Sequence, residues 1–322
     1  MLMFRISPAY GTLTDVQLSS LDFNLLRTLD AVLQESSVTR AAERLEVSQP
    51  AVSLALAKLR RHFNDELLRR AGNRYELTPM AVQLRERAAV AMLGVKRVFE
   101  AQPTFDPSAE EREFTLLVSD YAVAVLGSAL RVLTSERAPG VVLRMVQHKT
   151  ADVDHAHETV RTVDGLVVPH GFVSGLPYTE LFSDGWLGLV STSNRHVADE
   201  LTMEHLAQLP WAFTYLAPTA FTPAGRQLQT LGVEAHVEVV VESFLALPHV
   251  VAGTDRIALV QSRLAERMTR AGDVRALPLP FDAVPITEAM WWHPMYERDP
   301  AHVWLRTLLV EACQSTLIPP QA

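Results

Sequence analysis

Ser37-Val38-Thr39-Arg40-Ala41-Ala42-Glu43-Arg44-Leu45-Glu46-Val47-Ser48-Gln49-Pro50-Ala51-Val52-Ser53 holds two helical patterns separated by one tight connection. Val38, Ala41, Ala42 and Leu45 recur at i, i+3, i+4 and i+7, and Ser37 is placed to cap them. Glu46-Val47 turns the chain. Ser48 is expected to cap a further helix with Pro50 in its first turn, where a missing N–H costs nothing. That helix carries its core stripe on Ala51, Val52, Ala55, Leu56 and Leu59. Upstream, Leu25, Leu26, Leu29, Val32 and Leu33 form another apolar face behind a candidate cap, Asp22. Two short helices about a tight turn, braced by a third, is the arrangement of a helix-turn-helix.

Downstream, Leu67, Leu68, Tyr75 and Leu77 flank Arg69-Arg70-Ala71-Gly72-Asn73-Arg74, and Gly-Asn suits a reversal between two short strands. From Pro79 to Glu100, Ala81, Leu84, Ala88, Ala91, Val95 and Val98 alternate spacings of three and four, an a/d seam expected to dimerise against a partner helix. Gln102–Glu111, with Pro103 and Pro107, breaks the period and reads as a linker. Beyond it, Phe114–Val118, Val141–Val146, Gly165–Val168, Leu187–Val190, Val237–Val241 and Ile257–Val260 are strand-like and alternate with helical patterns. That alternation predicts an α/β region with largely parallel sheet. The expected divisions are 1–78, 79–112 and 113–322.

The 322 residues are 48% hydrophobic and carry a net charge of −8, so the chain as a whole is no coat for nucleic acid or acidic membrane. One cysteine, Cys313, leaves no intrachain disulfide and no paired-thiol chemistry, which suits a reducing cytoplasm. Residues 1–10 lack a long apolar run, and no stretch reaches the length of a membrane span, so neither export nor membrane insertion is expected.

Charge is nevertheless uneven. Arg40, Arg44, Lys58, Arg60 and Arg61 face only Glu43 and Glu46, and the hairpin adds Arg69, Arg70 and Arg74. A basic segment inside an acidic chain is the footprint of a double-stranded DNA contact. The first turns of the recognition helix enter the major groove in this motif, which makes Gln49 and Ser53 the candidate readers of base edges. Thr39, Arg40, Ser48 and Pro50 are candidate contacts beside them, and Lys58, Arg60 and the hairpin arginines are candidate phosphate holders.

Phe23-Asn24-Leu25-Leu26, Ser37 to Leu45, Val47 to Ser53 and Leu77-Thr78-Pro79 resemble, in sequence and order, the signature of LysR-type transcriptional regulators. The chain departs from the family pattern at Leu54, where many members carry a basic or long polar residue. Trp292 to Pro300 with Trp304-Leu305-Arg306 resembles the branch containing nodulation regulators and salicylate- or nitroaromatic-responsive regulators. The resemblance implies a winged helix-turn-helix, a long linker helix, and a periplasmic-binding-protein-like region of two α/β subdomains with a small organic effector between them. It also implies homodimers and homotetramers and RNA polymerase as a partner.

Ligands of open α/β domains sit beyond the carboxyl ends of strands, so Ser119, Asp120 and Tyr121, after Phe114–Val118, are expected at the cleft. By resemblance His170, Ser243, Phe244, Trp291 and Trp292 are pocket positions too. Aromatic-acid sensors of that branch have a His where Ser243 stands, so a salicylate-like effector does not transfer. The competing reading is a small-molecule enzyme on a binding-protein fold with a helical appendage. Against it, no G-x-S-x-G, Walker loop or dinucleotide glycine pattern occurs, and His155-x-His157 alone does not make a metal site, so no catalysis, cofactor or metal is expected. A purely architectural DNA binder would leave the α/β region without a task.

Overall fold

The computed structural model describes residues 22–72, 74–100, 104–215 and 222–317. Residues 1–10, Asn73 and the first part of the expected linker therefore lie outside the described residues. The chain divides into two compact units, Met1–Glu100 and Ala101–Ala322, so the long helix counts with the first.

In the first unit α1 (Phe23–Glu35), α2 (Val38–Leu45) and α3 (Gln49–Phe63) precede strands β1 (Leu68–Ala71) and β2 (Arg74–Leu77) and helix α4 (Pro79–Glu100). Asp22 accepts the Asn24 N–H and Ser37 that of Arg40, two helix caps legible in the residue types. Leu29, Val32, Leu33, Ala41, Ala42, Val52, Leu56 and Leu59 close one core, each nearly or fully hidden from solvent. Ala51 is exposed and Ala55 only half-buried, so the stripe of α3 is narrower than expected. Ser48 occupies the cap position of α3 without capping through its side chain. The reason is Pro50, which offers no N–H, while the Ala51 N–H bonds the Ser48 carbonyl at 3.0 Å.

β1 and β2 pair antiparallel from Leu68 opposite Leu77 to Ala71 opposite Arg74. Gly72 makes the reversal at φ 62°, a conformation that favours glycine. Asp65 anchors this wing by accepting the Thr78 hydroxyl and the Leu67 N–H, both at 2.6 Å.

The seam of α4 requires a correction. Ala81 and Ala88 are buried in the chain's own core, and Leu84 packs against it, because the first half of α4 lies on α1. Ala91 is exposed, Val95 is half-buried, and Val98 and Phe99 are 71% and 84% exposed. Exposed apolar side chains remain at both ends of the helix, Met80 and Val82 at its start and Val98 and Phe99 near its end.

The second unit contains two five-stranded sheets. Strands β3 (Glu113–Val118), β4 (Val142–Gln147), β5 (Gly165–Pro169) and β6 (Tyr178–Asp184), with helices α5 (Asp120–Arg137), α6 (Thr150–Asp154) and α7 (Ala156–Thr159), build the first subdomain. The chain crosses through Gly185 into β7 (Trp186–Ser191). The second subdomain continues with α8 (Met203–Gln208), β8 (Pro210–Thr214), α9 (Pro223–Thr230), β9 (His236–Val241), α10 (Leu247–Val251), β10 (Ile257–Gln261), α11 (Ser262–Met268) and β11 (Val274–Pro278). It then returns through β12 (Ile286–Trp291), and α12 (Pro300–Leu317) packs on α5. The orders are β4-β3-β5-β12-β6 and β11-β7-β10-β8-β9.

The expected largely parallel sheet is also corrected. β3 pairs parallel with β4 and β5, and β8 with β9 and β10, as crossover helices impose. β7 and β12 run against their neighbours. Each is the strand entered just after the chain has crossed from the other subdomain, so it enters its sheet against the direction set by the helical crossovers.

Candidate effector cleft and DNA-contacting helix

A cavity enclosing about 620 Å³, its solvent-open mouth included, lies between the two subdomains. Ser119, Val168, Phe172 and Glu288 line it from the first, and Tyr215 and Phe244 from the second. Its mainly apolar wall with a few polar groups suits a small organic molecule.

Two polar ties span the cleft. Asp120, at the start of α5, accepts the Ser243 hydroxyl at 2.6 Å and the N–H groups of Leu245 at 2.9 Å and Phe244 at 3.2 Å. A carboxylate thus caps the short 3-10 turn Phe244–Ala246 of the opposite subdomain, a favourable place for negative charge. The second tie is Gln147, at the end of β4, whose amide donates to the Tyr215 hydroxyl at 3.1 Å and to the Glu242 carbonyl. Tyr215 is held at φ 56°, a costly region for an aromatic residue, while its N–H bonds Val241. Burial pushes the Tyr215 hydroxyl up to about 12, so it stays protonated.

Of the sequence candidates, Ser119 and Phe244 line the cavity. Ser119 also caps α5 by accepting the Ala122 N–H at 3.1 Å. Asp120 and Ser243 do not line it, because each satisfies the other. Tyr121 is fully buried behind the cleft, its hydroxyl donating to Asp184 at 2.6 Å beside the crossing point. Asp184 also accepts the Arg263 N–H at 3.1 Å, and Tyr121 packs edge-on against Phe182 and Phe244. This is a hinge brace.

His170, Trp291 and Trp292 are likewise misplaced by the sequence reading. His170 stands 3.2 Å from Glu180 and packs edge-on against Tyr178 and Trp291. Trp291 is buried with its indole N–H on Val168 at 3.0 Å, in a separate apolar cluster. Trp292 points to the α12 side, where its N–H meets Glu297 at 3.0 Å and Arg306 covers its face at 4.4 Å. For Trp291 strand alternation is the cause, since in β12 Ile286 and Glu288 face the cavity, whereas Trp292 and His170 lie just beyond the ends of β12 and β5.

Sequence reasoning missed His148, Tyr215 and Glu288. Burial pushes the Glu288 carboxyl up to about 8, with no cation or hydrogen bond among the described residues to oppose it. Burial likewise pulls the His148 imidazole below its ordinary value. An ionisable residue inside an apolar strand, Ile286-Thr287-Glu288-Ala289-Met290, was the available signal for Glu288.

On the first unit Thr39, Ser48, Gln49, Pro50 and Ser53 are exposed together around the start of α3. Lys58, Arg69, Arg70 and Arg74 are exposed as well. Arg69 is 3.2 Å from Glu76, and Arg70 donates to the Gly72 carbonyl at 3.2 Å. Arg40 pairs with Glu35 at 3.3 Å yet keeps a largely exposed side chain. Arg60 is corrected as a free phosphate holder. It is half-buried and braces α3 to the wing, donating to the Glu66 carbonyl at 2.8 Å and the Leu68 carbonyl at 3.3 Å. Leu54 and Val47 leave exposed apolar groups beside the polar first turns.

Residues 23–82 match the profile described as bacterial regulatory helix-turn-helix protein, lysR family, and residues 109–314 match the LysR substrate binding domain. Nodulation protein D 2 of Rhizobium tropici is 30% identical over 311 residues, covering 95% of this chain and 97% of that protein. Nodulation protein D 2 of Rhizobium leguminosarum bv. phaseoli is 32% identical over 302 residues, covering 92% of this chain and 93% of its own. Among solved structures, a probable transcriptional regulator from Pseudomonas aeruginosa superposes with a TM-score of 0.68 at 27% identity, covering 91% of this chain and 97% of that one. Full-length CbnR complexed with its target DNA superposes at 0.63 with 16% identity, covering 92% and 100%, a likeness of fold.

Proposed function

Since this chain belongs to the LysR family of bacterial regulators, we propose that it binds its operator as a cytoplasmic dimer of dimers and changes transcription when a small organic molecule occupies the cleft. It is a DNA-binding transcriptional regulator with an effector-binding region, and not an enzyme. The observation that carries the proposal is a cavity walled by both subdomains, which the Asp120 and Gln147 ties join. A molecule touching both walls stabilises whichever relative arrangement fits it, by its difference in affinity for the two, and so shifts their populations.

Gln49 and Ser53 read base edges in this proposal, with Ser48, Thr39 and Pro50 seating the helix, and Arg40, Lys58, Arg69, Arg70 and Arg74 holding phosphates. Val95, Val98 and Phe99 supply the contact with a second copy. RNA polymerase receives the output. Among the described residues no helix is long and apolar enough to cross a membrane.

The test is footprinting on the DNA upstream of the protein's own coding region, repeated across a set of small organic compounds. The expected outcome is one protected site whose extent or affinity changes with a compound that also raises the unfolding temperature. Protection that no thermally stabilising compound alters would contradict the cleft as a regulatory site.

A further inference from the structure

Glu288 is 2% exposed, lines the cleft, and its Oε2 has no hydrogen-bond partner. Its neighbours in register across the sheet, Pro169 and Phe182, bring no side-chain donor. His148 shares the cavity wall, half-buried but with its Nδ1 out of solvent and unpartnered, its ring stacked near Tyr215 at 6.1 Å. Buried polar groups in native folds are nearly always satisfied, so two orphans on one cavity wall mark where a ligand's polar atoms belong. Among the described residues no Lys or Arg lines the cavity.

We propose that Glu288 is the specificity-determining group of the cleft, and that the effector is an uncharged organic molecule giving it a hydrogen bond from a hydroxyl or N–H, carboxylates being excluded. The inference rests on the reading of the cleft as the effector site. A carboxylate entering these walls would lose its hydration and meet no cation, since His148 is held neutral by burial. With its carboxyl pushed up to about 8, Glu288 is protonated at neutral pH and can both give and accept a hydrogen bond. An ammonium ligand would require Glu288 to ionise among apolar walls with that ammonium as its one partner, where loss of hydration outweighs the attraction unless geometry is excellent. The ring faces of Phe172, Tyr215 and Phe244 supply the apolar contact, and Glu288 supplies direction.

Calorimetric titration of the full chain with four probes of one shape tests this: naphthalene, 2-naphthol, 2-naphthoate and 2-naphthylmethylammonium. The expected order places 2-naphthol roughly five- to tenfold tighter than naphthalene, the advantage of one hydrogen bond, and both charged probes weaker still. Glu288→Leu should erase the naphthol advantage while leaving naphthalene unchanged. Glu288→Gln, which still hydrogen-bonds, should keep it. A preference for naphthoate or the ammonium, or a naphthol advantage that survives Glu288→Leu, overturns the proposal. Phe172→Ala separates the two readings, because it should weaken every probe whatever their order. If it does so while naphthoate binds best, the cleft stands and the role of Glu288 falls. If no probe binds, or neither the Phe172 nor the Glu288 variants change any affinity, both fall.

Discussion

Replacing Glu288 with Gln should stabilise the C-terminal unit, by an amount that grows with pH. Burial raises the folded-state value of this carboxyl to about 8 from an ordinary 4.5, so its contribution is undisturbed below 4.5 and stability is lost as pH rises through about 8. Between those limits the unfolded chain releases a proton that the folded chain retains. Each pH unit then costs the folded state about 1.4 kcal/mol, which makes the penalty about 3 kcal/mol at pH 7. Glutamine keeps the shape and the neutral polarity without the proton. All five tryptophans lie between residues 186 and 304, so tryptophan fluorescence, excited selectively over tyrosine, reports on this unit alone. Urea unfolding of both proteins from pH 5 to 8 supplies the measurement, and the difference between them cancels His148, Tyr121 and every other group they share. The expected gap is below about 1 kcal/mol at pH 5 and widens toward pH 8. A gap that does not change with pH would refute the buried, unpartnered carboxyl, as would a glutamine variant that is the less stable throughout.

Further outcomes follow from other sites. Gln49→Ala should weaken specific DNA binding by roughly 1–3 kcal/mol and leave binding to random duplex nearly unchanged, read by competition with the two DNAs. Arg70→Ala or Arg74→Ala should weaken binding to any duplex and make its salt dependence shallower by about one unit of slope, measured from low to moderate salt. Val98→Glu should dissociate the oligomer in sedimentation while the circular dichroism spectrum of the chain stays unchanged, because Val98 is 71% exposed, whereas a charge at Leu84 would enter the chain's own core. His302 is buried and held down to about 4, with its ring accepting from Arg306 and bonding the Asp164 carbonyl. Stability should accordingly fall as pH drops from about 6.5 to 4, and His302→Gln should flatten part of that fall in urea unfolding.

The helix-turn-helix was legible because its determinants are local. Caps such as Asp22 and Ser37 and the stripe Val52, Leu56, Leu59 depend on residues within a few positions of one another. The seam of α4 shows where that logic ends. A periodic stripe says that a helix must be covered and leaves open by what, and α1 of the same chain covers Ala81 and Ala88. In the cleft, strand ends such as Ser119 were readable, but Asp120 and Ser243 answer each other across 123 positions of sequence. β12 was missed as a strand, and with it the alternation that turns Glu288 inward and Trp291 into a separate cluster. The sheet directions depend on the two crossings between subdomains, which no local pattern encodes.

A regulator whose α3 enters DNA and reads sequence must prefer its own upstream DNA to a random duplex of equal length in equilibrium binding at one physiological salt concentration. The expected preference is at least about a thousandfold for the upstream DNA, reduced in Gln49→Ala by a factor of roughly five to a hundred while random-duplex affinity holds. Equal affinity for the two duplexes, or an equal loss on both in the variant, would contradict it.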